Sequence, residues 1–124
     1  MKYQALNLTP ESRWHVPFQD TGSWRTGIYR PEFNSSDEIK VLEKHTCPEL
    51  FVCMKGRMGL LIKDGSREEL VEMEPNQAIF VTGSHNGFAI DPEGFFLVVE
   101  RTSFSTEYID RITGTVIERV TVQS

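Results

Sequence analysis

Residues 38–45, Glu-Ile-Lys-Val-Leu-Glu-Lys-His, constrain this chain more than any other stretch. A β-strand sends alternate side chains to opposite faces. Ile39, Val41, Glu43 and His45 then share one face, and Glu38, Lys40, Leu42 and Lys44 the other. The first face begins apolar and ends in an acid and an imidazole. An ionised carboxylate is too costly to bury alone. Glu43 and His45 therefore need each other, a metal or a ligand.

The rest of the chain reads as β. Short runs rich in Val, Ile and Phe recur between turn signals, and no long helical period appears. The pattern predicts strands at Gln4–Leu8, Thr26–Tyr29, Glu38–His45, Leu50–Lys55, Met58–Lys63, Glu69–Met73, Ala78–Val81, Gly87–Ile90, Phe95–Arg101 and Val116–Val122. Lys55-Gly56-Arg57 and Asp64-Gly65 are hairpin turns, and Glu74-Pro75-Asn76 and Asp91-Pro92-Glu93-Gly94 are further turns. Residues 9–37 read as a short helix, a loop and an edge strand. Thr113-Gly114 closes a last hairpin in preference to a helical turn over Ser105–Ile112. Many short, evenly punctuated strands predict a sandwich or small barrel.

Length and charge narrow the function classes. A chain of 124 residues fits one domain, here 1–124, with its own core. A net charge of −5 with no Lys/Arg cluster argues against a nucleic-acid partner. The longest apolar run, Phe95 to Val99, has five residues, so no membrane span is expected. The N-terminal residues lack a signal-peptide core. Cys47 and Cys53, if on one strand, lie about 20 Å apart, too far for a disulfide. Reduced thiols and a cytoplasmic location are the expectation. On 50–55, Glu49, Phe51 and Cys53 share one face and Leu50, Val52 and Met54 the other. Both faces are apolar, so both call for cover. One is the barrel interior, and the other needs a second subunit, giving a homodimer, or the chain's own residues 1–33.

The spacing Glu43-x-His45-x3-Glu49-x6-Gly56 resembles the first motif of small cupins, G-x5-H-x-H-x(3,4)-E-x6-G. Glu43 stands where that motif has its first His, and Asp37 where it has its first Gly. Pro75 to His85 is similar to a degenerate second motif, about two residues short, with Thr82 for the usual Pro and Asn76-Gln77 for Gly-Asp. The resemblance spans roughly residues 37–101. It implies an all-β fold, a double-stranded β-helix or jelly-roll barrel. It further implies one divalent metal at the barrel mouth, held by Glu43, His45, Glu49 and His85.

Imidazole and carboxylate together suit Fe, Mn, Ni, Zn or Co. Glu43 is a fourth ligand or the general base that moves a proton on a bound substrate. Phe51 and Cys53 are candidate walls of the substrate pocket, and Arg101, at the end of its strand, a candidate partner for a substrate anion. Phe88 and Tyr29 line a cavity or fill the core, and Phe80 belongs to the core. The partner is a small polar metabolite, and the reaction is of dioxygenase, isomerase or lyase type. Two other readings stay open. One is a non-catalytic module that binds a sugar-like molecule. The other is a metal-free epimerase with a histidine base and Tyr29 or Tyr108 as acid.

Overall fold

A computed structural model of the chain describes residues 2–123. Eleven strands make up its regular structure: β1 (Trp14–Asp20), β2 (Trp24–Tyr29), β3 (Val41–His45), β4 (Glu49–Lys55), β5 (Met58–Asp64), β6 (Arg67–Met73), β7 (Ala78–Val81), β8 (Ser84–Ala89), β9 (Phe95–Arg101), β10 (Phe104–Asp110) and β11 (Val116–Val122). A 3-10 turn at Ser36–Glu38 is the one helical element among the described residues. None of the described residues forms a helix long and apolar enough to cross a membrane.

The strands form two antiparallel sheets, ordered β1-β2-β9-β4-β7 and β11-β10-β3-β8-β5-β6. From β3 to β10 the chain crosses back and forth between them, only the β5–β6 hairpin staying within one sheet, so that β3, β5, β8 and β10 face β4, β7 and β9. That is the jelly-roll arrangement. Gly65 turns the β5–β6 hairpin at φ 61°, whereas Gly56, at φ 71°, carries the chain from β4 in one sheet to β5 in the other, so Lys55-Gly56-Arg57 is a crossing and not the expected hairpin; a side chain would be strained at either glycine.

The interior is divided lengthwise. Phe51, Cys53, Met58, Leu60, Met73, Val81, Ala89, Phe96 and Val98 fill one end with apolar side chains. Polar groups occupy the other. A second cluster, Ile39, Leu42, Leu61 and Phe88, lies on the outer face of the β3–β8–β5 region, with Phe33 and Ile90 packed against it. Arg111 pins that cover by donating to the carbonyls of Ser36 at 2.6 Å and Ile39 at 3.0 Å while pairing with Glu68.

Several expectations need correction. Ile39 does not share the Glu43 face. The 3-10 turn ends on Ile39, strand pairing starts only at Val41, and Ile39 joins Leu42 outside. Gln4–Leu8 forms no strand, because no neighbouring strand pairs with it. Residues 14–29 form the β1–β2 hairpin instead of a helix and loop. Pro17, which has no amide to donate, lies where the pairing register slips. Phe80 is not core but 65% exposed on the outer face of β7. The outer face of β4 is only half covered. Leu50 and Val52 are half-buried and Met54 is exposed, since β1 and β2 extend that sheet sideways and do not lie over it.

Candidate metal centre

Strand register builds the site. His45 ends β3 in one sheet, and residues 46–48 carry the chain to the other sheet, where Glu49 begins β4. The sequence spacing of four therefore becomes a contact across the barrel. His85 arrives on β8, directly opposite Glu43 of β3. On the other side of β3, Tyr108 pairs with Glu43 and Thr106 with His45. Two cross-strand rows result: Tyr108–Glu43–His85 and Thr106–His45.

One carboxylate oxygen is the focus. Glu49 Oε1 lies 2.8 Å from His45 Nε2 and 3.0 Å from His85 Nε2, all three side chains being at least nine-tenths buried. Neither contact has the direction of an N–H···O bond, and Oε1 is left without a hydrogen-bond partner. The other ring nitrogens are engaged. His85 Nδ1 sits 2.8 Å from the Gly83 carbonyl, and His45 Nδ1 2.6 Å from the Thr106 hydroxyl. A carbonyl only accepts, so His85 carries its proton on Nδ1. In the neutral ring a lone pair on Nε2 then points toward Glu49. Donors of His45, Glu49 and His85 lie within 4.8 Å of one another. Two donors set at right angles around an ion at the usual ~2.1 Å are about 3.0 Å apart. The two contacts to Glu49 Oε1 match that spacing.

The electrostatics follow from burial. Burial alone would push the Glu49 carboxyl up, but the two imidazoles beside it hold it well below the ordinary carboxylate range. Burial would push the His85 imidazole down, yet the Glu49 carboxylate prevails and raises it. Burial raises Glu43, against the pull of both imidazoles. Phe51 sets its edge against His85, and Phe104 against His45, with ring centroids 5.4 and 5.2 Å apart. These rings fix the imidazoles and keep water from their flanks.

The triad opens into a cavity of about 280 Å³. Phe51, Tyr29, Tyr108, Trp14, Arg25 and Glu100 line it together with Glu43. Glu43 does not join the donor cluster; the group within 4.8 Å comprises His45, Glu49 and His85 alone. Cys53 is fully buried in the apolar end, donates to the Gly56 carbonyl, and does not line the cavity. Burial pushes its thiol up, which makes it unreactive. Arg101 is exposed on the outer face of β9 opposite Trp24, so it does not reach the cavity.

The cavity's own arginine is Arg25, which sequence reasoning passed over. Its guanidinium pairs with Glu100 at 2.6 Å and lies 5.5 Å from the Trp14 ring and 5.3 Å from the Phe104 ring. Glu100 is buried beside Glu49. Burial and then that neighbouring carboxylate push it up to about 7, against the pull of Arg25. The parity of Phe96, Val98 and Glu100 could have found it, since an acid shares a face with two core residues. The same alternation places Arg25 with Gly27 and Tyr29.

No protein-family profile matches the chain, and no curated protein matches it. Solved structures do. The hydroxypropylphosphonic acid epoxidase from S. wedmorenis matches at TM-score 0.55 and 12% identity, over 71% of this chain and 49% of that one. CoII HppE in complex with substrate matches at TM-score 0.59 and 12% identity, over 79% and 57%. A cupin-2 domain containing protein from Shewanella frigidimarina matches at TM-score 0.51 and 13% identity, over 70% and 76%. The chain spans about half the length of the epoxidase structures it matches. Two facing antiparallel sheets joined by alternating crossings, and these structural matches, give the conclusion that the chain has the cupin fold.

Proposed function

We propose that this chain is a metal-dependent cupin enzyme acting on a small polar molecule, with one divalent transition-metal ion held by His45, Glu49 and His85. The observation that carries this is Glu49 Oε1, buried against two imidazole nitrogens without a hydrogen bond. Charge supports it. Glu43, Glu49 and Glu100 face only Arg25 among the cavity's permanently charged groups, an excess of negative charge that a divalent cation offsets. Two imidazoles and one carboxylate suit Fe, Mn, Co, Ni or Zn. Such an ion, when bound, supplies a Lewis acid and open positions for a substrate.

The chain's own residues have separate tasks. Thr106 and Gly83 orient the two imidazoles through their Nδ1 atoms. Glu43, raised by burial and placed beside the triad, is the group that takes or returns a proton. Phe51 and Trp14 wall the cavity, and Tyr29 and Tyr108 offer hydroxyls. Dioxygenase, isomerase and lyase chemistry all use such a set. The exposed Met54, Phe80 and Trp24 on the outer sheet face support a homodimer.

Elemental analysis of untagged protein tests the reading. One equivalent of a transition metal is expected, falling below a tenth in His45→Ala and His85→Ala while both variants keep the β-rich circular dichroism of the parent. Folded parent protein that takes up no ion from Fe(II), Mn(II), Co(II), Ni(II) or Zn(II) would overturn it. The second reading, a metal-free epimerase, draws on Tyr29 and Tyr108, both in the cavity wall, with Tyr108 directly opposite Glu43 on the neighbouring strand. That reading expects no metal dependence and loss of proton exchange in Tyr108→Phe.

A further inference from the structure

A second hollow adjoins the triad cavity. It has a volume of about 330 Å³ and shares Tyr29, Glu43, Asn86 and Tyr108 with the first. Those four residues form a waist between the two spaces. The waist is rigid on one side: Asn86 accepts from the Tyr29 hydroxyl at 3.2 Å and from its neighbour's amide, and donates to the Val41 carbonyl at 2.9 Å.

The outer hollow differs in charge. Arg13, Arg30 and Lys40 line it, against Glu32 and Glu43. Arg13 is paired with Glu32 at 3.1 Å, while Arg30 and Lys40 have no ion-pair partner among the described residues. With Arg13 offset by Glu32, Arg30 and Lys40 outnumber Glu43 by one charge, a local reversal of sign in a chain of net charge −5. The inner cavity, with Glu43, Glu49 and Glu100, repels an anion; the outer hollow attracts one.

The geometry points to the outer hollow as the seat of an oxyanion group, carboxylate or phosphate, on a small molecule whose uncharged, hydroxyl-bearing end passes the waist toward the triad. Arg30 supplies a planar fork suited to such an oxyanion, and Lys40 a point charge. The charge reversal sets the direction of entry, anionic end outward. This deepens the enzyme reading, because it names the substrate class of the same site. The anion seat itself needs no metal.

The test is a pair of amide-NMR titrations on the metal-free full chain, with inorganic phosphate and acetate as simple anions and glycerol 3-phosphate as the longer probe. Phosphate or acetate is expected to shift Arg30, Lys40 and Phe33 saturably; which of the two binds more tightly tells phosphate from carboxylate. Glycerol 3-phosphate is expected to shift His85 and Asn86 as well. The double variant Arg30→Ser/Lys40→Ser should bind at least tenfold more weakly, and Arg119→Ser, remote on β11, should bind like the parent. Shifts spread evenly over surface Lys and Arg, or unchanged affinity in the double variant, would overturn the anion seat. A longer probe that moves no amide of the triad cavity would overturn the shared-ligand claim. Failure of the metal reading shows up separately, as absent metal with anion binding intact.

Discussion

Replacing Thr106 by Val isolates the support that His45 receives. The side chain is buried, Val has nearly its shape, and the change removes only the hydroxyl 2.6 Å from His45 Nδ1. A buried polar atom stripped of its partner costs about 1–3 kcal/mol. Removing a group that orients a metal-binding imidazole weakens the metal about 10–100-fold, or ~1.4–2.8 kcal/mol. The cost to folding and the cost to metal binding are separate, each about 2 kcal/mol. For 124 residues, unfolding entropy of ~2.1 cal/mol/K per residue turns 2 kcal/mol into a fall in Tm of about 8 °C. The assay is Mn(II) binding followed by electron paramagnetic resonance, with thermal melts of the metal-free protein alongside. Thr106→Ser, which keeps the hydroxyl, should recover most of the parent affinity. A Thr106→Val protein that binds Mn(II) as the parent does, or a Thr106→Ser protein no better than Thr106→Val, would refute the orientation of His45 through Thr106.

Gly27 and Gly59, each under an aromatic ring, should respond unequally. A Cβ on Gly27 would fall 2.0 Å from the far edge of the half-exposed Trp14 ring, which can swing outward, so Gly27→Ala costs about 1 kcal/mol and shifts tryptophan emission to the red. A Cβ on Gly59 would fall 2.1 Å from the Phe88 ring, which is enclosed in the outer cluster, so Gly59→Ala costs about 1–3 kcal/mol in urea unfolding. Equal costs would contradict the different confinement of the rings. The metal-free protein should also lose stability as pH rises from 5 to 8. Burial raises Glu43 and Glu100, the latter to about 7, so the stability they add is full below their ordinary 4.5 and is lost as pH climbs through the raised values. His85, raised above its ordinary 6.5 by Glu49, adds loss in the same direction from 6.5 upward. Urea midpoints that rise between pH 5 and 8 would contradict the sign.

Alternation along a strand made the core of the site readable, because burial constrains every second residue. Glu49 and His45 were legible as inward-facing residues for that reason, and His85 only through the resemblance of Pro75 to His85 to a second cupin motif. The same logic failed at Ile39, where a 3-10 turn resets the phase before β3 begins. Arg101 was chosen for its place at the end of its strand, whereas alternation picks out Glu100, the residue in phase with Phe96 and Val98. Arg25 was hidden for another reason. It lies on the β1–β2 hairpin, where Pro17 and a slipped register blur the period. Phe80 shows the limit of composition: a large aromatic on a strand reads as interior, yet its outward phase leaves it in water. The orientation of imidazoles by Thr106 and Gly83 depends on contacts between residues far apart or in irregular turns, which no local pattern encodes.

The three donors do not come from one sheet. His45 and His85 belong to one layer and Glu49 to the layer opposite. A cation gripped by all three is thus a rivet between the layers, set at the polar end where hydrocarbon packing between them is sparser. Its binding energy feeds directly into folding, growing with free ion as the logarithm of occupancy. Chelation should then fray the mouth of the barrel first, with amide exchange quickening along β3 and the start of β4 while the apolar end holds.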